Sequence, residues 1–152
     1  MAGFVVDASV VVEFLAPGRH GAAADRFVGG LAWDEPLELF APDLFLLEAA
    51  NALRRLANAK ALRQMAADRA VARLPLLAVT TVATGALLEE AWSLRKTMTL
   101  YDGAYAGLAR SLDRPLVTTD RRLVRACVAA GIDAFSVDQP ELSHLLDALD
   151  PG

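Results

Sequence analysis

Four carboxylates in four separate segments are the residues of this chain best suited to chemistry. Asp7 closes the apolar run Phe4-Val5-Val6, and Asp120 closes Leu116-Val117-Thr118-Thr119. Glu48 sits inside the run from Leu44 to Leu56, and Asp102 near the start of the run that follows Thr99. An apolar strand that ends in a carboxylate sets that charge at the carboxyl edge of a sheet, where open α/β folds build their sites. Carboxylates gathered at such an edge repel one another unless a hard divalent cation lies between them. The pattern points to a site for Mg²⁺ or Mn²⁺ built from Asp7, Glu48, Asp102 and Asp120.

Each acid also has a plainer reading. Asp7-Ala8-Ser9 is a strand exit and helix start, with Ser9 expected as the N-cap and its hydroxyl near a ligand phosphate; alternatively Asp7 itself caps the helix. The helix around Glu48 is apolar nearly all round, so it is expected to be buried, and a buried carboxylate needs a partner. Asn51 and Arg55 share its face at helical spacing, and a Glu48–Arg55 ion pair is the alternative to a metal role. Asp102 in a first turn complements the helix dipole, while the small residues Gly103, Ala104, Ala106 and Gly107 imply a crowded neighbour. Asp120 is either a cap or the fourth acid, with Thr118 bonding to it or to substrate. Arg121, Arg122 and Arg125 would then lie beside the acids, within reach of a polyanion, unless they form an ordinary solvated face.

Other chemistry is thinly represented. His20 and His144 have no His or Cys partner at ligand spacing. Cys127, the single cysteine, reads as a small core residue that cannot form an internal disulfide, compatible with a reducing cytoplasm. Asp138 is expected in a turn or as an outer-shell acid. Neither a Gly-rich phosphate loop nor a nucleophile elbow is found.

The elements that must hold these residues follow from periodicity. Strands are expected at Gly3–Val6, 37–40, 76–82, 115–118 and 132–137. Helices are expected at 10–15, 20–31, from Pro42-Asp43 to about Asn58, and at 61–73, 83–95, 100–111, 121–130 and 141–149. Continuous apolar strands alternating with helices imply an α/β fold, a three-layer α/β/α sandwich around a central, mostly parallel sheet. With 152 residues and 55% hydrophobic residues, the chain suits one domain with a real core, residues 1–152 including a short acidic tail from about 138. No apolar run is long enough to span a membrane and no signal peptide is expected. The net charge of −4 resides in that tail, because the first 137 residues hold 15 basic and 15 acidic residues.

Four motifs in order carry a resemblance: Val5-Val6-Asp7-Ala8-Ser9, then Leu47-Glu48-Ala49-Ala50-Asn51-Ala52-Leu53. Tyr101-Asp102-Gly103-Ala104-Tyr105-Ala106 follows, and Leu116-Val117-Thr118-Thr119-Asp120-Arg121-Arg122-Leu123 completes the set. Together they resemble the PIN-domain ribonucleases and, within them, the VapC toxins of bacterial toxin–antitoxin pairs. The resemblance implies Asp7, Glu48, Asp102 and Asp120 as the acidic cluster, with Ser9, Asn51 and Thr118 as accessory polar residues. It implies an endoribonuclease using one or two Mg²⁺ or Mn²⁺ ions, usually a homodimer, silenced by a cognate VapB-like antitoxin. Phe27, Leu31, Trp33 and Phe45 would be candidates to line a groove for an apolar partner helix. Competing readings are a phosphoacceptor receiver domain and a non-catalytic binding module of the same fold. A receiver needs a lysine near the acids, and both lysines, Lys60 and Lys96, fall in helical or helix-end segments. A haloacid-dehalogenase-type phosphatase needs a second Asp where Ser9 stands.

Overall fold

The computed structural model describes residues 3–29 and 38–149. Its centre is a five-stranded sheet of β1 (Gly3–Val6), β2 (Glu38–Pro42), β3 (Val79–Val82), β4 (Leu116–Thr118) and β5 (Ala134–Ser136). The order is β3-β2-β1-β4-β5, and every pairing is parallel. β1 and β4 are buried throughout, as continuous apolar strands between two helical layers must be.

Eight α-helices lie among the described residues: α1 (Ala8–Leu15), α2 (Gly21–Val28), α3 (Phe45–Asn58), α4 (Gln64–Arg73), α5 (Leu88–Ser93), α6 (Leu100–Leu112), α7 (Arg121–Ala129) and α8 (Pro140–Leu149). Right-handed crossovers put α1 to α4 on one face and α5 to α7 on the other. The packing agrees: α1 meets α2 and α3, α5 meets α6, and α7 lies against β4 and β5. The chain winds outward from β1 through β2 to β3, then returns to the other side of β1 as β4. The reversal falls between β1 and β4, and the crevice beyond their carboxyl ends is where such a sheet takes ligands. Asp7 and Asp120 leave the sheet there, while Glu48 and Asp102 enter from the early turns of α3 and α6.

Several elements differ from the sequence expectation, each for a local reason. β3 starts at Val79, because Leu74-Pro75-Leu76 closes a 3-10 turn first and Pro75 has no N–H for a ladder. The expected helix from Ala83 is a 3-10 turn at Thr84–Leu87 followed by the short α5. Asp43 is the cause: its carboxylate accepts the Thr84 N–H at 3.0 Å and the Thr84 hydroxyl, tying the end of β2 to the exit of β3. Ser9 lies inside α1, with Asp7 at the N-cap position. The helix α3 is amphipathic, not buried all round: Phe45, Ala49 and Leu53 face the core, while Leu47 is 79% exposed. Phe27 and Phe45 are core residues and line no groove, and Leu31 and Trp33 lie outside the described residues.

Candidate active site

Asp7 is held by hydroxyls from two strand exits. Ser9 Oγ and Thr118 Oγ1 both donate to Asp7 Oδ2, each at 2.7 Å. Ser9 Oγ in turn accepts the Thr119 N–H at 3.1 Å, and Thr118 Oγ1 accepts the Asp120 N–H at 3.0 Å. A hydroxyl has one proton, so both are committed to a single carboxylate oxygen, which fixes the plane of the group. Asp7 occupies the N-cap position of α1 but makes no side-chain capping bond, so it is not there as a cap. Burial pushes its carboxyl above the usual range, the two hydroxyl bonds oppose that, and the Asp120 charge adds to it.

Glu48 has a partner that sequence reasoning missed. The hydroxyl of Tyr105 donates to Glu48 Oε1 at 2.7 Å, from a ring that is 1% exposed in α6. Glu48 and Arg55 form no ion pair. Tyr105 stands three residues after Asp102, so α6 brings both to neighbouring positions one turn apart. Burial raises the Glu48 carboxyl, with the Tyr105 bond opposing and the charges of Asp7 and Asp102 adding. Burial and the adjacent carboxylates likewise push the Tyr105 phenol far above its usual range, so it stays a neutral donor. Asp102 rises for the same reasons, by burial and then by the charges of Asp7 and Asp120, relieved in part by Thr99 and Arg122. Its helix is capped by Thr99, whose hydroxyl accepts the Asp102 N–H at 3.2 Å.

Asp7, Glu48 and Asp102 line one cavity of about 590 Å³, together with Ser9 and Thr119. Asp120 is placed differently. Its carboxylate accepts the N–H groups of Arg122 at 2.9 Å and Leu123 at 3.4 Å, capping α7, and it stands outside the cavity lining while remaining within electrostatic reach of Asp7 and Asp102.

The accessory residues divide in the same way. Asn51 is exposed and accepts from Arg54 Nε at 3.0 Å, away from the cavity. Of the three arginines on α7, only Arg122 sits by the acids, with Nε 4.0 Å from Asp120. Arg121 turns to Asp138 at 3.3 Å, and both line a separate hollow with Arg125. The 100° turn per helical residue separates neighbours that adjoin in sequence. Asp138 is a turn residue bound to Ser136, Arg121 and His20, remote from the cavity. Cys127 is buried, and its thiol is pushed up to about 11 by burial and the Asp102 and Asp7 charges, so it is unreactive.

The donor set suits a hard divalent cation. The side chains around the cavity's acid end offer carboxylate and hydroxyl oxygens, and burial raises the proton affinity of Asp7, Glu48 and Asp102, with the Asp7 charge adding at Glu48 and Asp102, a penalty that positive charge removes. As the side chains stand, no three His, Cys, Asp or Glu among the described residues are drawn close enough to hold one ion.

A parallel α/β sheet with a carboxylate-lined crevice at its reversal point defines the class: residues 4–129 match the PIN domain family, to which this chain belongs. Within that family it belongs with the VapC ribonucleases. It is 37% identical over 126 residues to Ribonuclease VapC3 of Mycobacterium tuberculosis, covering 83% of this chain and 88% of that one. The fold is shared with Mycobacterium tuberculosis VapC20, a sarcin-ricin loop cleaving toxin, at a TM-score of 0.63 and 19% identity, covering 85% of this chain and 95% of that one. It is also shared with VapBC2 from Rickettsia felis bound to a promoter DNA fragment, at a TM-score of 0.62 and 12% identity, covering 88% of this chain and 98% of that one.

Proposed function

We propose that this chain is an endoribonuclease that hydrolyses RNA phosphodiester bonds with Mg²⁺ or Mn²⁺ and acts as the toxin of a toxin–antitoxin pair. The observation that carries the reading is the cavity in which the carboxylates of Asp7, Glu48 and Asp102 stand together, each with its proton affinity raised first by burial and then by neighbouring carboxylate charge. In this reading those three carboxylates are the metal ligands and catalytic residues, and Asp120 reinforces the field from the cap of α7. When bound, one or two ions would supply Lewis-acid activation of water and charge neutralisation at the phosphate.

The chain's own residues then have separable tasks. Ser9 and Thr118 lock the Asp7 carboxylate against rotation, and Tyr105 does the same for Glu48. Arg122 lies beside the acids, where its guanidinium faces an incoming phosphate. RNA is the substrate class that the VapC3 name supports. A VapB-like antitoxin is the partner supported by the VapBC2 complex. A homodimer is proposed on the family resemblance alone. We place the activity in the cytoplasm, where RNA and a reduced Cys127 occur together. The whole chain acts as one domain, its acidic tail folded as α8 against β5.

One variant tests the reading. Asp7→Asn should cut RNA cleavage on the order of a hundredfold or more, beyond what losing an outer-shell partner costs, and should relieve any growth arrest caused by the native chain. Co-expression of a small protein encoded beside it should relieve that arrest equally. Cleavage that persists in excess EDTA would refute the mechanism.

A further inference from the structure

The cavity is far larger than its acids need. Beyond Glu48 it runs between α1 and α3 as a trough walled by Val12, Ala52, Leu56 and Ala59. Arg55 is the one basic side chain in its lining, exposed and in no ion pair among the described residues. Glu13, also in the lining, has its carboxylate held by the N–H groups of Gly18 at 2.8 Å and His20 at 3.2 Å. The trough is thus apolar along its wall, with one unpaired guanidinium on α3.

Arg55 follows Glu48 by seven residues, two helical turns, so it stands about 10 Å further along the axis of α3 on the same face. That offset is too great for Arg55 to serve the reacting phosphate and suits the phosphate of a neighbouring nucleotide. Guanidinium groups bind phosphate oxygens in a bidentate fork. The apolar wall offers a surface for the flat face of a base, which needs no hydrogen bonds to be covered.

We propose that the trough between α1 and α3 is a subsite for the nucleotide flanking the cleaved bond of a single-stranded RNA, with Arg55 docking its phosphate and the Val12–Ala52–Leu56 wall covering its base. This rests on the ribonuclease reading and adds to it a direction for the strand: away from the acids along α3. A duplex would not enter, since only an unpaired strand presents a base face to the wall.

The test uses the Asp7→Asn chain, which blocks cleavage, and a fluorescent single-stranded RNA oligonucleotide as probe. Adding R55A should weaken binding about tenfold and lower the slope of log Kd against log salt by about one, the signature of one lost phosphate contact. R55K should retain part of the affinity, as a charge without the fork. An abasic position scanned along the probe should weaken binding at one place in the R55-intact chain. Arg55 is exposed, so R55A is expected to melt with its parent. Equal affinity and salt slope with and without Arg55, in a chain that does bind the probe, overturn the subsite and leave the ribonuclease reading intact. A native chain that neither binds nor cleaves the RNA overturns both.

Discussion

The most consequential residue after the acids is a tyrosine. Tyr105 spends its hydroxyl proton on Glu48, from a ring buried in α6, and so transmits the position of one helix to a carboxylate on another. Tyr105→Phe removes one oxygen and leaves the ring in place. We expect a stability loss of roughly 1.5–3 kcal/mol, the range for a hydrogen bond to a charged group. We expect apparent Mn²⁺ affinity, measured by calorimetry, to fall on the order of tenfold, as losing an outer-shell partner does. Unchanged affinity with a lowered melting temperature would make Tyr105 structural only. At this scale the sequence was legible where residue type alone decided the matter. Asp7 ends a buried strand, and no plain role accounts for it once its capping bonds are seen to be absent. It was illegible where two segments had to be brought together: nothing in the run around Glu48 names Tyr105, some sixty residues on, as its partner. Asn51 was read as accessory from the family resemblance, and helical spacing put it on the face of Glu48, but i,i+3 neighbours diverge by some 60° around the axis, enough here to turn Asn51 to solvent beside Arg54.

Among the elements, the α5–α6 pair sets the place of Asp102. A Cβ on Gly107 would meet the Glu90 Cβ at 2.7 Å, and one on Gly103 would meet backbone atoms of Ala91 at 3.1 Å. The helices touch along glycines because no side chain fits, and the Arg110–Glu90 pair closes the same contact. Gly107→Val should force α5 away at a cost of roughly 2 kcal/mol, typical of overpacking, seen as a lower denaturation midpoint. Cleavage should fall with it, because Asp102 heads the same helix; a chain with native stability would show that α5 yields freely. The end of β5 gives a second, pH-dependent expectation. Asp138 is held below its ordinary value of 3.8 chiefly by the Ser136 hydroxyl, with Arg121 and His20 adding. A depressed carboxyl stabilises the fold above its unfolded value and loses that contribution as pH falls through the folded one. Asp138→Asn should therefore cost roughly 0.5–1 kcal/mol at neutral pH, in the range of exposed ion pairs. The gap to the native chain should close in acid, well below pH 3.8; a gap that persists there would assign the loss to packing. Elements with strong internal signals, β1, α3, α6 and α7, were readable to within a few residues. The stretch from Leu74 to Leu87 was not, because Pro75 and the remote Asp43 decide its turns.

On the scale of the whole molecule, the tail acids Asp138, Glu141 and Asp147 line no part of the crevice. From Pro140 to Leu149 the tail folds as α8, buries Leu142 and Leu146, and ties back to α2 through Arg26 with Ser143 and Asp147. It therefore belongs to the fold and lines no part of the acid cavity. The raised proton affinities of Asp7, Glu48 and Asp102, set first by burial and then by neighbouring charge, mean that the folded chain holds ionised carboxylates at a cost that unfolding releases. A cation that enters the cavity relieves it only in the folded state, so metal should stabilise the whole chain by mass action. At a hundred times its dissociation constant an ion adds about 2.7 kcal/mol, a shift of roughly 5–11 °C in melting temperature for a chain of this size. The expected result is a rise on titrating Mn²⁺ or Mg²⁺, reversed by EDTA and reduced in Asp7→Asn. The same variant, free of metal, should melt above the native chain, because it removes one of the crowded charges while Asn can still accept from Ser9 and Thr118. A native chain whose melting temperature ignores both ions, and a metal-free Asp7→Asn chain that melts below it, would show that these acids are structural and that the cation site lies elsewhere.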